Sequence, residues 1–574
     1  MMNSKIAEIF EEIADMLELD EVDRKFEVLA YRKAAQTIEG LQEPVEDVYA
    51  RGGLEALQEL PGIGKSTSSH IEEYIKTGRI KKYDELKKKF PVDFNTLTKI
   101  PGLGAKKAAK LFVTLKVKDI DDLKKALERH KIKDLEGFGE RSEEVILKGV
   151  QQYESSKGRM LLGRALPEAE RIIKKIKDSG LVHEVVIGGS TRRRKETVGD
   201  LDILVTSDKP EKVMDFISKM HEVESVALKG PTKTTVRLMI GLSCDVRVVE
   251  DDSFGAALQY FTGNKEHNVR MREIAIGKGL KLNEYGLFDK KDRNISKDGE
   301  EDIYKKLGLD WMPPEMRENR GEIELAMKHK LPKLIELDEI KGDLHTHTIA
   351  SDGSYSIVEM ATAAKKLGRE YIGISDHSKS EYIARGMDDR KFVKHLSDID
   401  KANDAVQGIR ILKGAEIDIL KDGSLDLSGK TMELMDYTLA SIHTNLSMPK
   451  EEMTKRIIAA FDSGYVDIWA HPTDRLINAR GPISVDFDRV FEAAERNNVV
   501  MEIDSFPDRL DLSDENIFKA RKYKLRFCID TDSHSTEHLS FMRFGIGIAR
   551  RGWLTKEDVV NTMNAKELLS FLGK

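Results

Sequence analysis

Three changes of rhythm along 574 residues predict a multidomain chain: a helical amino-terminal region, an α+β middle and a carboxy-terminal α/β domain. To about residue 150, apolar residues recur at three- and four-residue spacing between Gly and Pro, the pattern of amphipathic helices. From about residue 181, short β-branched runs enter as strands. Beyond residue 338 short strands alternate regularly with helices, as in an α/β barrel or a doubly wound sheet. A single core seldom grows to this length, so several are expected.

Composition narrows the class. Hydrophobic residues make up 40% and charged residues 34% of the chain, which implies a solvated surface. No apolar run reaches the length of a membrane span, so no membrane partner is expected. The opening MMNSKIAEIFEEIADML reads as an amphipathic helix and lacks the basic flank and apolar block of a signal peptide. Cys244 and Cys528 are the two cysteines, so neither a disulfide framework nor a thiolate metal site is expected. A reducing cytoplasm follows as the expected location. The net charge of −7 leaves nucleic acid open, because binding needs a basic stripe and not a basic total.

Within the helical region one pattern recurs: PGIGKSTSSHI at 61–71, PGLGAKKAAKLF at 101–112 and a weaker EGFGERSEEVIL at 136–147. Gly62 and Gly64, and then Gly102 and Gly104, let the chain turn sharply so that amide groups point outward at a helix start. Such a nest suits a phosphate oxygen. One copy would read as well as a helix cap; three shift the balance. They resemble helix-hairpin-helix motifs, which hold DNA phosphates without reading sequence, and a monovalent cation is an expected companion.

In the middle region VVIGG (185–189), DLDILVT (200–206), TTVRLMI (234–240) and CDVRVV (244–249) read as strands. Asp200 and Asp202 are two apart and so share one face of a strand. With Asp245 they could hold two divalent ions about 4 Å apart for in-line phosphoryl transfer. Gly189, Ser190 and Arg193 are placed to bind a triphosphate. On spacing alone, an acidic edge strand is the competing reading.

The carboxy-terminal strands read as YIGIS (371–375), RILKGAEID (410–418), YTLASIH (437–443), DIWAHP (467–472), VVMEID (499–504) and LRFCIDTDSH (525–534). His345, His347, His377, His443, His471 and His534 fall at or just after strand ends, joined by Asp352, Glu416 and Asp532. Imidazole and carboxylate suit zinc, manganese or iron, and strand ends are where an α/β fold gathers its site. His395 and His538 fall outside the pattern and are expected as ordinary surface residues.

Two family resemblances follow. GGSTRRRKETVGDLDILV (188–205), YFTGNKEHNVRMR (260–272), GLKLNEYGLF (279–288) and AYRKAA (30–35) resemble family X DNA polymerases, the polymerase β group, over roughly residues 1 to 316. The resemblance implies an eight-kilodalton-like helical domain at 1–80, a fingers-like helical domain at 81–150, a nucleotidyltransferase palm at 151–251 and a thumb at 252–316. A charged helical connector at 317–338 would follow. Asp200, Asp202 and Asp245 become ligands of Mg²⁺ or Mn²⁺, with Asp245 accepting the primer hydroxyl's proton and Arg247 organising the three. Gly189, Ser190, Arg193 and Arg159 become triphosphate contacts. Tyr260, Phe261 and Gly263 border the sugar, Asn268 reaches the base, and Arg272 and Tyr31 contact DNA. The chain departs from lyase-active members: His70 stands at the Schiff-base lysine, and an imidazole cannot form that iminium, so lyase activity is not expected unless Lys65 substitutes. Glu27 replaces a basic 5′-phosphate contact.

Residues 339–574 resemble the polymerase and histidinol phosphatase, or PHP, domain, whose fold is a distorted (β/α)7 barrel with three divalent metals. The resemblance implies one metal on His345, His347, Glu416 and Asp532, a second on Glu416, His443 and His471, and a third on Asp352, His377 and His534. Together the two resemblances imply a monomeric enzyme that fills gapped or primed DNA from dNTPs in base-excision repair. Its PHP domain would supply 3′–5′ exonuclease activity, with abasic-site cleavage or 3′-end cleaning as further expectations. The residues alone also allow a small-substrate nucleotidyltransferase fused to a phosphatase, or a non-catalytic DNA-end scaffold.

Overall fold

A computed structural model of the chain describes residues 2–18, 24–41, 44–98, 100, 102–156 and 158–574. The helical region forms two small cores. Helices Met2–Glu18, Lys25–Gly40 and Lys65–Thr77 bury Ile6, Phe10, Ile13, Ala34, Ile38 and Ile71 in the first. Phe94, Leu97, Leu111 and Ile146 anchor the second. The repeated glycines act as expected: Gly62 and Gly102 adopt φ of 76° and 85°, where a side chain is strained. Gly64 and Gly104 then cap helices Lys65–Thr77 and Ala105–Leu115. Pro101, part of the second repeat, lies outside the described residues.

The middle region builds a five-stranded sheet in the order Val185–Ile187, Asp200–Thr206, Ser243–Val249, Lys233–Leu238, Val223–Lys229. Asp200–Thr206 runs parallel to Ser243–Val249 and pairs Asp202 with Asp245. Helices Leu162–Asp178 and Pro210–Ser218 supply Ala165, Ile172, Val213 and Ile217 to its core. Val223–Lys229 was not expected as a strand. It is an outer strand with most residues exposed, so its sequence carries no alternation of buried positions.

Residues 317–338, expected as a helical connector, contain one six-residue helix, Glu322–Met327, and pack tightly. Arg317 is fully buried, with Nη1 2.6 Å from Glu300, which also takes both terminal nitrogens of Arg192 at 2.8 Å. Glu300→Ala leaves two guanidinium groups without this carboxylate. It is expected to destabilise the fold by about 3–5 kcal/mol in chemical denaturation, the usual effect of breaking a buried pair.

In the carboxy-terminal region the strands form two parallel sheets instead of one continuous barrel ladder. Gly342–Asp343, Tyr371–Ile374 and Arg410–Lys413 make a three-stranded sheet. Glu416–Asp418, Leu439–Ser441, Ile468–Trp469, Val500–Asp504 and Phe527–Asp530 make a five-stranded one. Single parallel bridges join their edges at His377 with Glu416 and at Thr346 with Ser533. RILKGAEID therefore splits into two strands, and the break places Glu416 at the junction. This half docks on the middle region through Arg475 with Glu196 at 2.7 Å and Arg551 with Glu318 at 2.9 Å. No helix among the described residues is long and apolar enough to cross a membrane.

Candidate active sites

The first centre lies where strand Asp200–Thr206 begins. Leu201 and Ile203 are buried, while Asp200 is exposed and Asp202 half-buried on the other face. Gly189, at φ 61°, lies so close to Asp202 that a Cβ would fall 2.3 Å from its Oδ2. Any side chain there would push the carboxylate out of place. Burial, reinforced by Asp200 and Asp245, pushes the Asp202 carboxyl up to about 6. Crowded carboxylates of this kind fit divalent cations, which offset their mutual repulsion.

Asp245 shows partners that sequence reasoning missed. Lys233 lies 2.7 Å from its Oδ2, and the Thr235 hydroxyl donates to Oδ1 at 2.6 Å. Burial would raise Asp245, but Lys233 and Thr235 hold it below the ordinary carboxylate range. Arg247, the expected organiser, stands farther off at 3.7 Å and lies over the Phe261 ring.

Several expected nucleotide and DNA contacts are engaged within the protein. Arg193 Nε lies 3.1 Å from Glu318 and Nη1 donates to the Thr262 carbonyl, beside Gly263. Arg159 Nε donates to the Thr197 hydroxyl at 2.9 Å. Asn268 Nδ2 donates to the Tyr260 carbonyl and its Oδ1 accepts from Gln259, both at 2.7 Å. Tyr260 and Phe261 meet edge to face. Ser190 opens the short helix Gly189–Arg192, and Arg272 lies half-buried on helix Lys265–Gly277. Tyr31, expected as a DNA contact, is buried: its hydroxyl meets His70 Nδ1 at 3.0 Å and Lys82 covers its ring. Glu27 pairs with Lys82 at 2.7 Å, and Lys65 is exposed.

The second centre gathers eight side chains around Glu416. Its Oε2 lies 3.2 Å from His345, 3.5 Å from His347 and 3.0 Å from His377; its Oε1 lies 3.2 Å from His443 and 2.8 Å from His471. Asp532 stands 3.1 Å from His347 and 3.5 Å from His345. Asp352 meets His534 at 3.3 Å and His377 at 3.7 Å. Burial would raise Glu416, but His377, His345 and His443 hold it well below the carboxylate range. The ligand atoms form sets of metal-binding spacing: His345, His347 and Asp532; His345, Glu416 and His471; His377, Glu416 and His443; and His347, Asp352, His377 and His534. The nine side chains lie together, but the sets divide them otherwise than expected: His443 groups with His377 and Glu416, and His471 with His345 and Glu416. Both ring nitrogens of His347, His345 Nε2, His377 Nδ1 and Glu416 Oε2 are buried without a hydrogen-bond partner. Such a convergence of imidazole and carboxylate lone pairs fits divalent ions.

A second layer of acids orients these ligands, and here too the sequence carried no signal. Glu502, fully buried within VVMEID, lies 2.6 Å from His345 Nδ1 and accepts the backbone N–H of His471. Holding one ring nitrogen leaves the other aimed at Glu416. Glu502→Ala is expected to weaken metal retention about 10–100-fold, measured by metal content after dialysis against a graded chelator.

Two histidines differ from expectation. His395 is buried 3.0 Å from Asp376, whose carboxylate accepts from Thr348 and Ser351. His538 is buried against Phe506 and Phe541, and burial followed by nearby His534 pushes its imidazole down to about 3. Both lie on helical segments packed behind the ligands, not at strand ends, so the strand-end pattern could not place them.

Segments of the chain match known families. Residues 1–80 match a helix-hairpin-helix domain, 94–152 a SAM-like helix-hairpin-helix tandem, 257–318 the DNA polymerase beta thumb, and 343–506 the PHP domain. A probable phosphatase of Thermoanaerobacter sp. (strain X514) is 29% identical over 38% of this chain and 89% of its own. Leishmania infantum polymerase beta, in a ternary P/T complex, is 22% identical over 39% of this chain and 97% of its own, with a TM-score of 0.26. The DNA polymerase/3′–5′ exonuclease PolX of Bacillus subtilis (strain 168) is 37% identical over 577 residues, spanning 100% of both chains. By that full-length identity, the chain belongs to the PolX family.

Proposed function

We propose that the protein is a DNA-directed DNA polymerase that fills short gaps during base-excision repair and carries a PHP-domain 3′–5′ exonuclease. The observation that carries this reading is the presence of two separate centres in one chain. One is the aspartate group beside Gly189, the other the nine-ligand group around Glu416. Divalent ions, Mg²⁺ or Mn²⁺ at the first and Zn²⁺, Mn²⁺ or Fe at the second, would supply Lewis acidity and activate the attacking oxygen.

The chain's own residues do the rest. Asp200, Asp202 and Asp245 orient the primer hydroxyl and the dNTP phosphates, and Asp245 takes the hydroxyl proton once Lys233 gives way. Gly189 and Ser190 offer backbone and hydroxyl donors to the triphosphate; Arg193 joins them on leaving Glu318. The hairpins at 61–71 and 101–112 hold the duplex by its phosphates. At the PHP centre Glu502 keeps His345 aimed. Cys244 and Cys528 are free, buried thiols, in keeping with a reducing cytoplasm.

The test is extension and degradation of one labelled gapped substrate, with Mg²⁺ and then Mn²⁺. Both activities are expected, both stop with chelator, and binding falls steeply with salt. Synthesis or degradation missing under every metal would remove that half of the reading.

A further inference from the structure

The loop after strand Val185–Ile187 carries four consecutive cations, Arg192 to Lys195, of which the nucleotide site calls on Arg193. Arg192 is held by Glu300. Arg193 and Arg194 meet a helix of the PHP region, Met542–Arg551. Gly547 lets that helix approach, since a Cβ there would fall 3.1 Å from Arg194 Cβ. Gly545 seats the same helix on the PHP strands, where a Cβ would fall 2.7 Å from Ile529 Cγ2. Glu196, at the end of the loop, pairs with Arg475 of the PHP region at 2.7 Å.

Arg551, the last residue of that helix, is buried and bridges both regions. Its Nη1 donates to the Arg193 carbonyl and to Glu318 Oε1, each at 2.9 Å, and its Nη2 donates to Asp514 at 2.7 Å. Glu318 Oε1 also takes Arg193 Nε at 3.1 Å, and its Oε2 accepts from Asn264, beside Gly263, at 3.0 Å. One carboxylate is thus shared by an arginine of the nucleotide site and an arginine of the PHP region. To reach a triphosphate, the Arg193 guanidinium must leave Glu318, whose side chain is 9% exposed. A buried carboxylate deserted by its cation is strongly unfavourable. Arg551 remains on Glu318, so the charge stays matched. It also holds the Arg193 carbonyl, so the main chain stays in place while the side chain swings. Asp514, which takes Arg320 as well at 3.1 Å, fixes the far side of the Arg551 guanidinium.

We propose that Arg551 is a positioning residue of the polymerase centre, supplied by the PHP region. It pins the main chain of the triphosphate loop and remains as the counter-charge of Glu318 when Arg193 turns to the dNTP. The PHP region thus carries its own hydrolytic centre and also completes the nucleotide site of the other. The inference rests on the polymerase reading, with Arg193 as a triphosphate contact, and goes beyond it by giving the hydrolytic half a role in synthesis.

The test uses the full chain, gapped DNA and Mg²⁺. R551A is expected to raise the dNTP KM about tenfold, with kcat little changed and single-strand degradation retained. R551K keeps the charge but loses the fork that spans both carboxylates. It should raise KM about threefold and carries the comparison if R551A does not fold. E318Q frees Arg193 and should not raise KM. In that background both Arg551 variants should lose most of their effect, because the carboxylate they balance is gone. A role in stability alone would lower the melting temperature and leave the dNTP KM unchanged, or raise it equally in both backgrounds. Either result, or a fall in kcat alone, would overturn the inference. Fluorescence titration with mant-dATP, and Ca²⁺ in place of Mg²⁺, separates the two readings. Affinity that falls in R551A and recovers with E318Q, in a wild type that extends no primer, would keep the positioning role and remove the polymerase. Extension by wild type, with one mant-dATP affinity in every variant, would do the reverse. A wild type that neither binds mant-dATP nor extends a primer would overturn both.

Discussion

Glu416→Gln is expected to abolish 3′–5′ degradation while leaving gap filling intact. The residue touches His345, His347 and His377 through one oxygen and His443 and His471 through the other. The amide keeps the volume but loses the charge, and its NH₂ group meets imidazole nitrogens that are held to accept a metal. Loss of one preorganised electrostatic group costs ~10²–10³-fold in rate. By the proposed ligand sets Glu416 would serve more than one ion, so the fall should reach at least that range. Nucleotide release from a 5′-labelled strand measures the loss, with metal content per chain in parallel. His345→Ala together with His347→Ala should give the same pattern. If any of these variants also stopped primer extension, the two centres would not be independent.

The converse variant is Asp202→Asn, expected to stop synthesis and spare degradation on the same substrate. Asp202 lies opposite Asp245 in the parallel ladder and has Gly189 against its carboxylate. At the proposed two-ion site, replacing one ligand would remove charge where the transferring phosphoryl group needs it, again a ~10²–10³-fold effect at the least. A second readout is independent of activity. Burial raises the Asp202 pKa to about 6, so its ionisation disfavours the metal-free fold as pH rises from the ordinary carboxylate range through 6. In chelator at pH 7.5, Asp202→Asn should therefore melt higher than wild type, and the difference should shrink toward pH 4. A lower melting temperature at pH 7.5 would mean that the carboxylate is structural.

These contrasts show which features were legible beforehand. Asp200–Thr206 is a strand over the residues its pattern predicts, and the nine candidate ligands of the PHP region lie together, because histidine and acid at strand ends mark themselves by residue type. Glu502 does not mark itself. It sits in an apolar strand, and its partner His345 is 157 residues away. Lys233 and Thr235 read as ordinary polar residues of a strand until the sheet order sets them beside Asp245. Arg193 was read for its positive charge, yet Glu318, 125 residues on, occupies it. The 317–338 stretch read as a charged helical connector, but Arg317 and Glu322 are buried with partners.

By itself the sequence determined the order of helical, α+β and α/β regions and picked out the candidate ligands that gather at both centres. Those properties depend on residue type and short-range period, which the chain carries in every conformation. Only the tertiary structure decided which histidines share which oxygen of Glu416, and that Tyr31, His395 and His538 are buried. It alone placed Arg551 of the PHP region on the carbonyl of Arg193, 358 residues earlier in the chain. Each of these is a pairing between distant segments, settled by how helices and sheets pack and by the partners that buried charges require.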